Sequence, residues 1–210
     1  MKKYLMEGIG AFFLTLAVVM SQAVGAGETA PLVAGGMLLG MYCAGASVSG
    51  AHYNPAISLS GLIQGKLDRI DFPYYWLAQF AGSGFAALMA VFLHRCAGNG
   101  EMRMRYNDTA CALIAEFLGS FVLVFTYLQV HEKRGAEVGS HAGMAIGFVF
   151  FAGMSLFGTL SGGYFNPAIA LGACVAGLAA WGDILIYFGS SLLGGAAAVS
   201  VFRMVNGEAV

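Results

Sequence analysis

Charge is what this sequence has least of. Aspartate, glutamate, lysine and arginine make up only 10% of its 210 residues, against 59% hydrophobic ones, and mean hydropathy is +0.76. No soluble domain of this size hides so much apolar surface, because a globular surface needs more polar residues than this. The formal net charge of −1 offers no field for nucleic acid or for acidic partners. Cysteine is scarce as well. Cys43, Cys96, Cys111 and Cys174 show no paired spacing, and they read as small core residues rather than a metal or disulfide framework. Only Cys96 and Cys111 are spaced so that they can meet, across one polar loop. Catalytic patterns are missing: there is no His-Glu-x-x-His, no Gly-x-Ser-x-Gly and no carboxylate pair on one face. An intramembrane enzyme needs a nucleophile–base pair or a metal cluster, so neither enzyme, cofactor nor metal is expected. Long extramembrane loops are missing too, the largest being roughly 15 residues. That weighs against a non-transporting membrane scaffold.

What is present is a repeated triplet. Asn54-Pro55-Ala56 recurs as Asn166-Pro167-Ala168, 112 residues on, and small residues precede both. Asparagine is a preferred helix N-cap, and proline suits the first helical position, where its missing N–H would be unpaired anyway. Each triplet therefore predicts a helix start inside very apolar sequence. Backbone of that kind is tolerated at membrane depth only where it is buried or lines a cavity. Two such starts, one per half, mark a transmembrane pathway built from inverted repeats.

About 20 apolar residues cross a bilayer, and six stretches qualify, near 4–24, 30–49, 72–93, 108–130, 138–160 and 181–203. Two shorter ones, 54–64 and 166–177, are re-entrant half-helix candidates, and each opens at a triplet. The fold class expected is thus all-α: six transmembrane helices plus two half-helices in two inverted repeats, about 4–93 and 108–203, forming one domain. Glu7 in the first span lines up with Glu116 in the fourth, 47 and 50 residues before their asparagines. Three spans per half is an odd number, so the half-helices dip in from opposite faces and their asparagines meet near the midplane. The first 26 residues also resemble a signal peptide, but Glu7 interrupts the apolar run, and the segment is expected to be retained. With the N-terminus inside, Lys2, Lys3, Lys66, Arg69, Lys133, Arg134 and Arg203 are cytoplasmic, against Arg95, Arg103 and Arg105 outside. That bias favours both termini in the cytoplasm and an integral, multi-pass protein of the cell (inner) membrane. Gly36 with Gly40, and Gly143 with Gly147, have the small-xxx-small spacing of close helix packing, while Trp76 and Trp181 read as interface anchors.

Ser49-Gly50-Ala51-His52-Tyr53-Asn54-Pro55-Ala56, the second Asn-Pro-Ala, and the glutamates of the first and fourth spans resemble the major intrinsic protein family, the aquaporins and aquaglyceroporins. Ala78-Gln79 with Gly82, and Gly194-Gly195-Ala196, are similar as well. The resemblance covers essentially the whole chain. It implies a passive channel for water and small uncharged solutes, assembled as a homotetramer in the lipid bilayer. It also implies a ladder of pore carbonyls on Gly50, Ala51, His52, Tyr53, Gly162, Tyr164 and Phe165. Asn54 and Asn166 would cap the half-helices and offer N–H groups to the solute, while Glu7 and Glu116 brace the loops. The facing positive helix ends would repel cations. A proton relay through the glutamates is the competing reading.

The chain departs from that pattern at the outer constriction. Most of the family has arginine after the second triplet; here it is Ile169. The other three filter positions fall on Ala34, Met154 and Gly163. Such a set has no fixed charge, so a wider, apolar opening is expected unless Met154 or Tyr164 fills it. Ala170 and Tyr187-Phe188 lean toward the water-channel pattern, while the filter admits larger solutes. A channel mainly for urea, ammonia, hydrogen peroxide, glycerol or a metalloid hydroxide is therefore the alternative.

Overall fold

The computed structural model describes residues 1–100, 102, 108–132 and 140–207. Arg103, Arg105, Lys133 and Arg134, which entered the orientation argument, lie outside them. Among the described residues there are eight α-helices and no strand. They are α1 (Lys2–Ala23), α2 (Ala30–Ser49), α3 (Pro55–Ile63), α4 (Phe72–Cys96), α5 (Thr109–Tyr127), α6 (Ser140–Ser161), α7 (Pro167–Ala176) and α8 (Ile184–Asn206). A π-turn, Leu128–Glu132, continues α5, and single 3-10 turns precede α2 and α8. Six of the elements are long and apolar enough to cross a membrane, while α3 and α7 are too short.

Local chemistry sets the ends. Asp108 caps α5, its Oδ1 accepting from Ala110 N at 2.8 Å and Cys111 N at 3.1 Å. These two backbone donors, Cys111 first, hold its carboxyl below the ordinary range. Gly50 ends α2 and Gly177 ends α7 in the left-handed conformation, at φ 85° and 83°, where a side chain would strain. Asn54 and Asn166, both extended, open α3 and α7 with proline in the first turn.

Helices α1 and α4 pack together, as do α5 and α8, and α2 crosses α6 between the halves. These crossings are close because glycines meet backbone. A Cβ on Gly82 of α4 would lie 2.2 Å from the Gly8 carbonyl oxygen of α1. One on Gly194 of α8 would lie 2.4 Å from the Phe117 carbonyl oxygen of α5, the same crossing in the second half. Between α2 and α6 the pair is Gly35 and Gly147, each within 2.7 Å of the other's carbonyl oxygen by the same measure. The expected Gly36–Gly40 stripe is corrected here: both are exposed with nothing near them, since one residue turns about 100° around a helix. The cysteines need correction too. Cys43, Cys96 and Cys111 are exposed and free, and only Cys174 is buried. Apolar helices whose outer faces meet lipid do not distinguish core from surface by hydrophobicity alone. Phe85, Leu88 and Phe92 on α4, and Leu185 and Leu193 on α8, form such outward apolar faces. Trp181 is exposed, whereas Trp76 donates its indole N–H to the Pro55 carbonyl at 3.1 Å and ties α4 to α3.

Contacts at the ends fix the topology. Lys3 bonds Asp71, so α1 and α4 start on one face. Arg203, near the end of α8, donates to Gln64 Oε1 and the Ile63 carbonyl at 2.7 Å each, placing the end of α3 there as well. Gly177, at the end of α7, lies against Met102, beyond the far end of α4. The two half-helices therefore enter from opposite faces and their N-termini converge.

Candidate functional site

At the convergence the two asparagines cross. Asn54 Nδ2 donates to the Phe165 carbonyl at 2.9 Å, and Asn166 Nδ2 donates to the Tyr53 carbonyl at 2.9 Å. Each oxygen stays on its own helix: Asn54 Oδ1 accepts from Ala56 N at 2.8 Å, and Asn166 Oδ1 from Ala168 N at 2.9 Å. A carboxamide nitrogen carries two hydrogens, so each asparagine retains one N–H beyond this cross-link. Both residues are buried. With two helix N-termini facing them, the locus is electropositive.

The approach segments repeat the same backbone. Gly50, Ala51 and Tyr53 have φ of 85°, 53° and 50°, and Gly162, Gly163 and Phe165 have 96°, 65° and 48°. Positive φ at alanine, tyrosine and phenylalanine is strained and persists only when the surroundings enforce it. The enforcement comes from the glutamates. Glu7 Oε1 accepts from Ser49 Oγ (2.6 Å) and His52 N (3.0 Å), and its Oε2 from Tyr53 N (2.7 Å) and Gln79 Nε2 (2.7 Å). Glu116 Oε1 accepts from Ser161 Oγ (2.7 Å) and Tyr164 N (2.9 Å), and its Oε2 from Phe165 N (2.6 Å). Both side chains are fully buried; loop backbone donors converge on each, joined by Ser49 of α2 and Gln79 of α4 at Glu7 and by Ser161 of α6 at Glu116. His52 sits between the rings of Tyr75 and Tyr127, its Nδ1 3.1 Å from Ser58 Oγ.

The expected carbonyl ladder is only partly open. Gly50 O accepts from Tyr127 Oη and Gly162 O from Gln22 Nε2, both at 2.8 Å, while Tyr53 O and Phe165 O take the asparagines. One lone pair remains on each. The Ala51 and His52 carbonyls take no donor among the described residues. Tyr127, Gln22 and His131 were not singled out as site residues from the sequence. His131 stacks on Tyr127 at 4.7 Å, its Nδ1 lying 2.6 Å from Tyr42 Oη. The only signal for Gln22 was an amide in an apolar span.

Ala34, Met154 and Ile169 are buried within one apolar cluster. Met154 lies against Gly163: a Cβ there would be 3.1 Å from Met154 Cα and Cγ. Tyr164 is buried with its ring 5.2 Å from that of Tyr187 on α8.

The model of the family described as "Major intrinsic protein" matches residues 2–202. A probable aquaporin, TIP2-2, of Arabidopsis thaliana is 33% identical over 163 residues, 75% of this chain and 63% of that protein. The chain thus spans less than two thirds of that relative. Aquaporin TIP1-1 of Zea mays is 28% identical over 200 residues, 90% of this chain and 78% of its own. The X-ray structure of the aquaglyceroporin from Plasmodium falciparum superposes with a TM-score of 0.77 at 21% identity, covering 97% of this chain and 93% of that one.

Proposed function

The chain belongs to the major intrinsic protein family, whose members are passive channels rather than enzymes, and from that premise we propose that it conducts water and small uncharged solutes through a single transmembrane domain. The observation that carries this reading is the crossed pair Asn54–Phe165 and Asn166–Tyr53 at two opposed helix starts. It leaves one N–H per asparagine for a solute at the point where two helix dipoles disfavour cations. Glu7 and Glu116 hold the loops around that point, and the loop N–H groups converging on each support bracing over a proton relay. The repeats are about 4–93 and 108–203, both termini face the cytoplasm, and the protein is a homotetramer of the cell (inner) membrane.

At the outer constriction, Ala34, Met154, Gly163 and Ile169 form an apolar filter without a fixed charge. Methionine has three rotatable side-chain bonds, so the filter is adaptable in width, narrow when Met154 rests on Gly163 and wider when it swings. The lack of a polar side chain among the four favours admission of a larger neutral solute such as urea beside water. Stopped-flow light scattering on proteoliposomes tests the reading. It expects water and urea permeabilities above those of protein-free vesicles, and equality for both solutes would refute it.

A further inference from the structure

Near the outer entrance one amide stands out from its apolar surroundings. Gln22, on the last turn of α1, reaches across 140 positions of sequence to donate from Nε2 to the Gly162 carbonyl at 2.8 Å. A carbonyl accepts and never donates, so this contact fixes the amide's orientation, with nitrogen on Gly162 and oxygen turned away. Gln22 Oε1 is buried and has no hydrogen-bond partner among the described residues. The residue lines a cavity of about 550 Å³ shared with Glu28, Met154, Ser155, Gly158 and Thr159. Met154 is the filter side chain that packs on Gly163, the residue directly after the carbonyl Gln22 holds.

We propose that Gln22 is the solute-recognising residue of the outer entrance, its Oε1 accepting a hydrogen bond from neutral solutes rich in N–H or O–H donors, urea foremost. The proposal rests on the channel reading above and deepens it. A buried carbonyl oxygen without a donor is costly, and a solute that brings donors relieves that cost as it sheds its own water. Ala34, Met154, Gly163 and Ile169 provide no side-chain hydrogen bond, whereas Gln22, which lines the cavity together with Met154, carries a side-chain acceptor without a donor. The same amide occupies one acceptor site of Gly162, so it replaces a backbone acceptor with a side-chain one facing away from the loop.

Two variants separate recognition from mere bracing of the loop. Gln22→Met removes both amide functions at similar length. Gln22→Lys keeps a donor for Gly162 but removes the acceptor. Wild type and both variants are reconstituted in proteoliposomes, and water and urea permeabilities are read from the same preparations. The urea-to-water permeability ratio should fall in both variants by roughly three- to tenfold, the range one ordinary hydrogen bond carries. An unchanged ratio in both overturns the proposal. So does a wild-type ratio in Gln22→Lys beside a loss in Gln22→Met, which would make Gln22 a loop brace only. Failure of the channel reading is a different result, seen in the wild type as fluxes equal to those of protein-free vesicles.

Discussion

Gly10 lies flat against the ring of Tyr53, so close that a Cβ at Gly10 would sit 2.0 Å from Tyr53 Cε1. Gly119 stands in the same relation to Phe165, at 2.1 Å from Cε1. The two rings belong to the residues whose carbonyls receive the crossed asparagines. The glycines of α1 and α5 thus let both loops seat deeply enough for Asn54 and Asn166 each to donate to the carbonyl of the opposite loop.

Gly10→Ala should therefore drive the Tyr53 ring out of place. The ring is fully buried and its Oη is held by the Met41 carbonyl at 2.9 Å, so it has nowhere to yield. Overpacking of this kind costs about 1–3 kcal/mol. Thermal unfolding in detergent should show a lower midpoint, and flux per folded protein should fall. A variant as stable and as conductive as wild type would contradict the seating described above.

Asn54→Ala or Asn166→Ala removes a helix cap, about 1 kcal/mol on the usual scale, together with one cross-link between the halves. Each single variant should lose stability and conduct less, and the double variant should be worse than either. Proteoliposome flux normalised to folded protein checks this. Wild-type flux from a well-folded double variant would remove the asparagines from the pathway.

Ile169→Arg would place a fixed positive charge and a fork of donors next to the apolar filter. Gly163 is small but already covered by Met154, so an arginine reaching over Gly163 has to displace that side chain. Urea permeability should drop more than water permeability, moving the ratio toward water. If both fall equally, Ile169 does not set solute size, and attention passes to Met154.

Asp71 predicts a pH signature at the end of the fold where α1 and α4 start. Hydrogen bonds from Lys3, first, and Tyr4 depress its pKa below the ordinary 3.8. A depressed folded-state pKa contributes stability that is fully present above the unfolded value and is lost as pH falls through the folded one. Asp71→Asn should thus lower the unfolding midpoint at neutral pH, and the difference from wild type should shrink below about pH 3.8. A difference independent of pH would mean the carboxylate charge contributes nothing there.

Much of this architecture was legible because backbone chemistry is local. Asn-Pro at a helix start, glycine at a left-handed helix end and a span-length apolar run each follow from a few adjacent residues. The half-helices at Pro55–Ile63 and Pro167–Ala176 were placed within a residue or two on that basis. Which face of a helix packs was not legible. In a helix apolar all round, Gly35 and Gly36 look alike, yet only Gly35 meets α6. The three exposed cysteines were misread for the same reason. Site contacts such as Gln22 to Gly162 and Tyr127 to Gly50 join residues 140 and 77 positions apart, with no periodicity to announce them. In the sequence only a family resemblance ties the glutamates to the loops. Nothing in their spacing shows four donors converging on Glu7 and three on Glu116.

The most direct measurement of the central claim compares three preparations by stopped-flow light scattering: wild-type proteoliposomes, Asn54→Ala/Asn166→Ala proteoliposomes and protein-free vesicles. The account predicts that wild type passes water and urea faster than protein-free vesicles, and that the asparagine variant loses most of the excess for both. Wild-type permeabilities equal to those of protein-free vesicles for both solutes would contradict it.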